Sequence, residues 1–234
     1  MTDTGTNTQR IKAVVFDMAG TTVDEGKKVY DCVRKTLQKY DLYFSLDEIM
    51  ESIGGMNKKE GIKKMMLLKW ESATDEQLDE AAAIFTNMVE EAYRTSNSIK
   101  EMPGASDLFA HLRKNDVKVI LDTGYARSTA DLLISKMGWD DRNLIDFSVT
   151  SDEVSQGRPS PMMIEKALTH FNIDSAREVA KVGDTRSDVE EGLNAGCRYV
   201  VGMISSQYTE DEMLAMGATH AISSLGELKE IVTT

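Results

Sequence analysis

The sequence has only two cysteines in 234 residues, Cys32 and Cys197. They lie far apart and fit no metal-ligand spacing, so they are read as reduced thiols of a cytosolic protein. The three histidines, His111, His170 and His220, are scattered and form no catalytic or ligand pattern. No apolar run approaches the roughly 18 residues needed to span a bilayer. The polar start, Met1 to Arg10, has no apolar signal-peptide core and is read as a frayed tail. Positive charge is also scarce: 27 Lys and Arg face 39 Asp and Glu, for a net charge of -12. Such a chain has no general attraction for nucleic acid or an anionic membrane. A phosphorylated ligand would need a local cationic site. There is no internal repeat, low-complexity stretch or coiled-coil heptad.

What remains is ordinary globular material, 41% hydrophobic and 28% charged. The length suits one large α/β domain, or a core domain with a smaller insert. Ile11 to Phe16 is a short apolar, β-branched run and reads as a buried strand ending at Asp17. A Gly-Thr-Thr turn follows. Lys27 to Tyr40 has helical spacing, and Ser45 with Glu48 forms a capping box for a helix ending near Gly54. Gly54-Gly55 is a break. Lys58 to Trp70 and Thr74 to Tyr93 read as two more helices.

After Met102-Pro103-Gly104 the pattern changes. Strands are expected at Val117 to Leu121, Phe147 to Thr150, Val179 to Val182, Tyr199 to Met203 and His220 to Ile222. Helices are expected at Ser128 to Met137, Pro161 to Phe171 and Ser187 to Ala195, with one more at the end of the chain. This alternation predicts a Rossmann-like, doubly wound parallel sheet. The helix-only stretch after the first strand is then a helical cap domain inserted at residues 25–100. The catalytic core would be residues 1–24 and 101–234. Hinges are expected near Asp24-Glu25-Gly26 and Lys100 to Gly104.

In open α/β sheets, ligands bind beyond the carboxyl ends of the strands. Four polar features fall there: Asp17, Thr123, Arg158 in Gly157-Arg158-Pro159, and Gly183-Asp184-Thr185 with Asp188 beyond. Phosphoryl transfer needs such a set. A carboxylate can attack phosphorus, but two anions repel, so a divalent cation must bridge them. Mg²⁺ is the cofactor expected, because it takes oxygen ligands in a near-octahedral shell. Asp17 and Asp184 can supply carboxylates, Thr123 a hydroxyl donor, and Arg158 a planar fork of donors. Backbone amides of the turn after Asp17 can cradle the remaining oxygens.

Asp17-Met18-Ala19-Gly20-Thr21, Thr123, Arg158 and Gly183-Asp184-Thr185 through Asp188 resemble, in order, the four motifs of the haloacid dehalogenase-like superfamily. The resemblance implies Asp17 as nucleophile, and Mg²⁺ on Asp17, the Ala19 carbonyl and Asp184, with Asp188 supporting the metal shell. It implies Thr123 and Arg158 as the groups that orient the phosphoryl. Asp17 to Asp24, Thr123 to Arg127 and Gly157 to Pro161 look like the phosphonatase branch. Most phosphatases of the superfamily carry a general-acid aspartate two residues after the nucleophile; here that position is Ala19, as in phosphonatase. Thr21, Gly124 and Tyr125 are taken as substrate-facing.

That branch uses a cap lysine to form a Schiff base with an aldehyde substrate. An ungapped comparison from Gly54 places the lysine on Asn57, which cannot form an imine. Lys27, Lys58 and Lys59 are the lysines near enough in sequence to be considered, and Lys27, Asn57 and Lys58 complete the candidate substrate contacts. The expectation is therefore a Mg²⁺-dependent hydrolase of a small organophosphate or phosphonate, phosphonatase-like but without the imine. Three alternatives stand beside it: a true phosphonoacetaldehyde hydrolase with a displaced lysine, a phosphosugar mutase, and a non-catalytic binding module. The partner expected is a small phosphorylated or phosphonate substrate, with no nucleic acid and no membrane. A homodimer is entertained but not decided by the sequence.

Overall fold

The computed structural model of the chain describes residues 10–232. The tail assigned to Met1 to Arg10 therefore lies, up to residue 9, outside the described residues. The first strand, β1 (Ala13–Asp17), is buried at every position. The short strand β2 (Val23–Asp24) leads into four helices, α1 (Lys28–Gln38), α2 (Leu46–Ile53), α3 (Lys58–Leu67) and α4 (Asp75–Thr95). The chain returns through β3 (Lys100–Glu101) and α5 (Ala105–Lys114). It then alternates through β4 (Lys118–Thr123), α6 (Arg127–Met137), β5 (Phe147–Thr150), α7 (Met162–Phe171), β6 (Val179–Gly183), α8 (Arg186–Ala195), β7 (Tyr199–Met203), α9 (Glu210–Ala215), β8 (His220–Ile222) and α10 (Leu228–Val232).

Six strands form one sheet in the order β5-β4-β1-β6-β7-β8, and every pairing is parallel. The sequence predicts this from apolar strands alternating with helices. Such strands are buried on both faces, so each must be covered by helices. One core holds Val14, Phe16, Val119, Leu121, Val182 and Val201 with the helices α5, α6 and α10. The other holds Ala13, Val15, Ile120, Val179 and Val200 with α7, α8 and α9. The odd-numbered residues of β1 thus share one face, and Asp17 ends that row. The connections depart in opposite directions on either side of β1, which puts the switch point of the sheet at the end of β1.

The four helices between β2 and β3 pack into the first of these cores. Helix α4 buries Leu78, Ala81, Ala82, Phe85, Val89 and Tyr93, the i, i+3, i+4 spacing of one face. Thr74 caps it, with Gln77 completing the box, and Ser45 with Glu48 does the same for α2. Among the described residues, no helix is long and apolar enough to cross a membrane.

Three elements escaped the sequence reading: the helices α5 and α9, and the antiparallel ribbon of β2 with β3. The ribbon pairs Val23 with Glu101 and Asp24 with Lys100, so the two stretches expected as hinges are tied to each other at the base of the insert. Two-residue strands carry no readable alternation. They form because the sheet and the insert bring their ends together.

Candidate active site

Asp17 stands level with Asp122 across the β1–β4 pairing, and Val15, two residues back, stands level with Lys181 of β6. Side chains alternate along a strand, so Asp17, Asp122 and Lys181 all point to the face covered by α7 and α8. Helix α8 starts at a capping box of Thr185 and Asp188. Asp188 and Glu191, three residues apart on α8, share a face and point down to the same place. Arg158 enters from the loop between β5 and α7.

The result is a buried cluster of charges. Arg158, 4% exposed, reaches Asp17 Oδ1 at 2.6 Å and Asp188 Oδ1 at 2.8 Å through Nη1. Its Nη2 lies 2.5 Å from Asp122 Oδ1, and its Nε donates to Glu191 Oε2 at 3.1 Å. Lys181, wholly buried, meets three of the same acceptor atoms, Asp122 Oδ1 at 2.5 Å, Glu191 Oε2 at 2.9 Å and Asp188 Oδ1 at 3.3 Å. Burial alone would strip the charge from both cations. The carboxylates outweigh it, so both are held above their ordinary pKa values. Burial also raises Asp122, but Arg158 and Lys181 outweigh that too and hold it below the usual carboxylate range. Glu191 is pushed up to about 8, by burial first and by Asp122 second.

Nearer the surface, carboxylate oxygens of Asp17, Asp184 and Asp188 lie within 4.8 Å of one another. Burial raises Asp17 to about 6 even with Arg158 against it. Asp184 rises well above its usual value, by burial and then by the charges of Asp17 and Asp188. Thr21 Oγ1 donates to Asp184 Oδ1 at 3.3 Å, but among the described residues no cationic side chain pairs with Asp184. Three converging carboxylates, one of them without a counter-charge, fit a divalent cation held by oxygen. Gly20 has φ of +93°, and a Cβ there would collide with the Asp184 carboxylate. The turn after Asp17 therefore needs glycine to bring its backbone up to the cluster.

The insert closes the other side. A Cβ on Gly124 would collide with the Met56 carbonyl, and Lys58 N donates to Gly124 O at 3.2 Å. Asp17, Ala19, Tyr30, Lys58, Thr123 and Arg158 line one small cavity, together with Gly124 and Tyr125. Lys58 is 7% exposed; its ammonium donates to Met56 O at 3.0 Å and lies 5.5 Å from the centre of the Tyr30 ring. It has no carboxylate partner at ion-pair distance among the described residues, and burial lowers its pKa to about 8 despite the charge of Asp17. Tyr125 Oη and Tyr93 Oη are 2.5 Å apart, and Tyr93 Oη donates to Glu25 Oε2 at 3.1 Å. Glu25 also accepts from Val29 N at 2.8 Å. This chain ties the core loop at Tyr125 to α4, to α1 and to the linker.

Removing the Tyr93 hydroxyl should therefore loosen the insert. Tyr93→Phe leaves a buried Tyr125 hydroxyl short of a partner and removes a donor from Glu25. The expected cost is about 1–3 kcal/mol, the penalty for unsatisfied buried polar groups. It is read as a lower denaturation midpoint at unchanged m-value.

Of the residues expected at the site, Asp17, Thr123, Arg158, Gly124, Tyr125, Ala19 and Lys58 come together around the cavity, with Asp184 and Asp188 beside them. Thr123 is buried, and its Oγ1 accepts from Tyr125 N at 3.2 Å. Thr21 turns to Asp184 and away from the cavity. Two of the expected residues do not line this cavity. Lys27 is outside the cavity: it has φ of 59° at the start of α1 and donates to Ser206 Oγ at 3.1 Å. Asn57 is outside it too, because its side chain is spent as the N-cap of α3, accepting from Glu60 N, and in a 2.7 Å bond to Ser151 Oγ. The capping bond turns Asn57 towards Ser151, and the next residue, Lys58, enters the cavity.

The sequence reading passed over Asp122, Lys181, Glu191, Glu25, Tyr30 and Tyr93. A signal existed for two of them: a lysine inside Val179–Gly183 and an aspartate inside Lys118–Thr123 are charges in buried strands, which are rare unless paired.

A family model for the haloacid dehalogenase-like hydrolases matches residues 11–196. A phosphonoacetaldehyde hydrolase of Bacillus cereus (strain G9842) is 30% identical over 225 residues, covering 88% of this chain and 82% of that protein. A bifunctional phosphonoacetaldehyde hydrolase/aminoethylphosphonate transaminase of Clostridioides difficile is 33% identical over 205 residues, 80% of this chain, but the chain spans only 31% of that longer protein. Among solved structures, a phosphonoacetaldehyde hydrolase-like protein from Oleispira antarctica superposes with a TM-score of 0.84 at 22% identity, covering 97% of this chain and 92% of its own. With the motifs, the sheet and these matches in hand, the chain belongs to the haloacid dehalogenase-like hydrolases, in their phosphonatase-like branch.

Proposed function

We propose that the protein hydrolyses a small phosphono-aldehyde, with Asp17 as the nucleophile and Lys58 as the amine that activates the carbonyl. One observation carries this reading: the Lys58 ammonium is buried in the same cavity as Asp17 and Arg158, with its pKa lowered to about 8. A lysine with a lowered pKa forms imines at neutral pH, since only the neutral amine attacks a carbonyl. The expectation of a hydrolase without an imine rested on Asn57, and Asn57 points elsewhere.

The chemistry then runs as follows. Lys58 Nζ adds to the aldehyde and water leaves, giving a protonated imine. Asp17 attacks phosphorus; the P–C bond breaks and its electron pair moves into the imine, giving an enamine. Water hydrolyses the aspartyl-phosphate to phosphate and the enamine to aldehyde and free Lys58. Arg158 and Thr123 would hold the phosphonyl oxygens, Tyr125 and Gly124 would shape the site from the core side, and Thr21 would hold Asp184. Mg²⁺, held by Asp17, Asp184, the Ala19 carbonyl and Asp188, would supply charge neutralisation for the attack of one anion on another. Residues 25–100 would serve as the cap over a core of residues 1–24 and 101–234, opening for substrate and closing against water.

Ala19 favours P–C over P–O cleavage. An alkoxide leaving group needs a proton from a general acid, and the residue two places after Asp17 has none to give. The enamine needs no such acid. The same gap weighs against a phosphosugar mutase, and the intact set of Asp17, Thr123, Arg158 and Asp184 weighs against a non-catalytic module.

The test is phosphate release from phosphonoacetaldehyde in Mg²⁺, with and without borohydride, followed by mass spectrometry. The expected result is turnover, inactivation by borohydride, and a reduced adduct on Lys58. Turnover of phosphate esters with no adduct on any lysine would refute the imine. For the metal, Asp184→Ala should weaken Mg²⁺ binding by more than ~100-fold. Even outer partners of a metal site are worth 10–100-fold, and Asp184 is assigned to the metal itself. Calorimetric titration with Mg²⁺ checks it, and an affinity within threefold of the parent would remove Asp184 from the metal shell.

A further inference from the structure

Arg158 is not held by a simple ion pair. Asp122 Oδ1 accepts from both Arg158 Nη2 and Lys181 Nζ, each at 2.5 Å. Glu191 Oε2 lies 3.1 Å from Arg158 Nε and 2.9 Å from Lys181 Nζ. Two cations and two carboxylate oxygens thus close a ring, and every member is buried. The ring uses Nε and Nη2 of the guanidinium and leaves Nη1 pointing at Asp17 and Asp188. Neither Lys181 nor Glu191 lines the cavity.

We propose that Lys181 is a positioning residue that, through Asp122 and Glu191, fixes the plane of the Arg158 guanidinium so that Nη1 faces the reacting oxygens. The inference rests on the reading of the cavity as a hydrolase centre. Its physical basis is geometric. A guanidinium is planar, so two donors anchored on one edge determine where the remaining donors point. Without Lys181, Asp122 and Glu191 would be two carboxylates facing one cation, and the guanidinium could swing to share itself between them. A displacement of about 1 Å at a catalytic contact can cost roughly 10²-fold in rate.

The test is a cycle of Lys181→Met, Arg158→Lys and the double variant, measured on phosphonoacetaldehyde and, as a probe without an aldehyde, acetyl phosphate. Lys181→Met should lower kcat by about 10²-fold with KM changed less than threefold. In the double variant the loss should equal that of Arg158→Lys alone, because Lys181 acts through Arg158. A kcat within threefold of wild type, or losses that multiply in the double variant, would overturn the proposal. Glu191→Leu gives a second route should Lys181→Met fail to fold: it removes the acceptor shared by Arg158 Nε and Lys181 Nζ, and a kcat within threefold of wild type would count equally against the idea.

A spectroscopic arm separates this from the functional reading. The ¹⁵N-resolved Nε–H signal of Arg158, assigned by its loss in Arg158→Lys, should be protected from solvent exchange in the wild type. It should exchange at least tenfold faster in Lys181→Met. No turnover of either substrate by the wild type, together with this change in exchange, sinks the hydrolase reading but keeps the ring as the seat of Arg158. Unchanged exchange sinks the ring whatever the turnover.

Discussion

Asp17→Asn should lower turnover by roughly 10⁴-fold or more, which corresponds to about 5–6 kcal/mol of lost transition-state stabilisation. The amide keeps the shape of the carboxylate but cannot attack phosphorus. The fold should survive, because Arg158 keeps Asp122, Asp188 and Glu191 as partners. The charge on Asp17 is itself a burden on the fold. Burial raises its pKa from 3.8 to about 6, so the folded state favours the protonated form. A carboxyl raised in this way contributes stability below pH 4, and the contribution is lost as pH rises through 6. Without metal, the melting temperature of Asp17→Asn relative to wild type should therefore climb between pH 4 and pH 6. Turnover within tenfold of wild type would end the aspartyl-phosphate mechanism. A stability difference that is flat across that window would show that Asp17 is not strained in the fold.

Lys58→Met should abolish cleavage of phosphonoacetaldehyde, by on the order of 10³-fold, within the range associated with losing a positioned proton-transfer or nucleophilic group. Acetyl phosphate, which forms no imine, should lose far less. The stem of methionine fills the same space against Tyr30, so packing is largely kept. The pH dependence is specific. The amine must be neutral to attack, and its pKa is lowered from 10.5 to about 8. The rate of borohydride trapping should therefore rise between pH 7 and pH 9 and level off above it, where an ordinary lysine would still be climbing. Equal losses on both substrates would mean that Lys58 only props the cavity, and a trapping rate that climbs beyond pH 10 would mean that its environment leaves it unperturbed.

The core motifs were legible because each sits where a strand must end. Asp17 closes an apolar run, Thr123 closes another, and Asp184 follows a third with a helix start behind it. Asp188 was legible only as the last member of the fourth motif; the structure adds that it is the N3 partner of Thr185 in a capping box. The ring beneath them was not, although it contains two charges in buried strands. Periodicity tells that Lys181 and Asp122 face the same layer as Asp17 only once the register β4-β1-β6 is known. Register between parallel strands is decided by the helices that connect them, far from any local pattern.

The helices between β2 and β3 show the same limit from the other side. Counting residues from Gly54 put Asn57 where an amine was needed. Helix α3 begins one residue later, and the capping bond of Asn57 turns its side chain away while the helix rotates Lys58 by about 100° into the cavity. By itself the sequence determined the layers, the strand ends and the four motifs, because burial and capping are local and leave a periodic trace. Only the tertiary structure decided which lysine enters the site, what holds Arg158, and how Glu25, Tyr93 and Tyr125 tie the insert down. Those depend on side chains from distant segments meeting in a low-dielectric interior, where a difference of one residue or about 100° of helix rotation separates a buried charge from a solvated one.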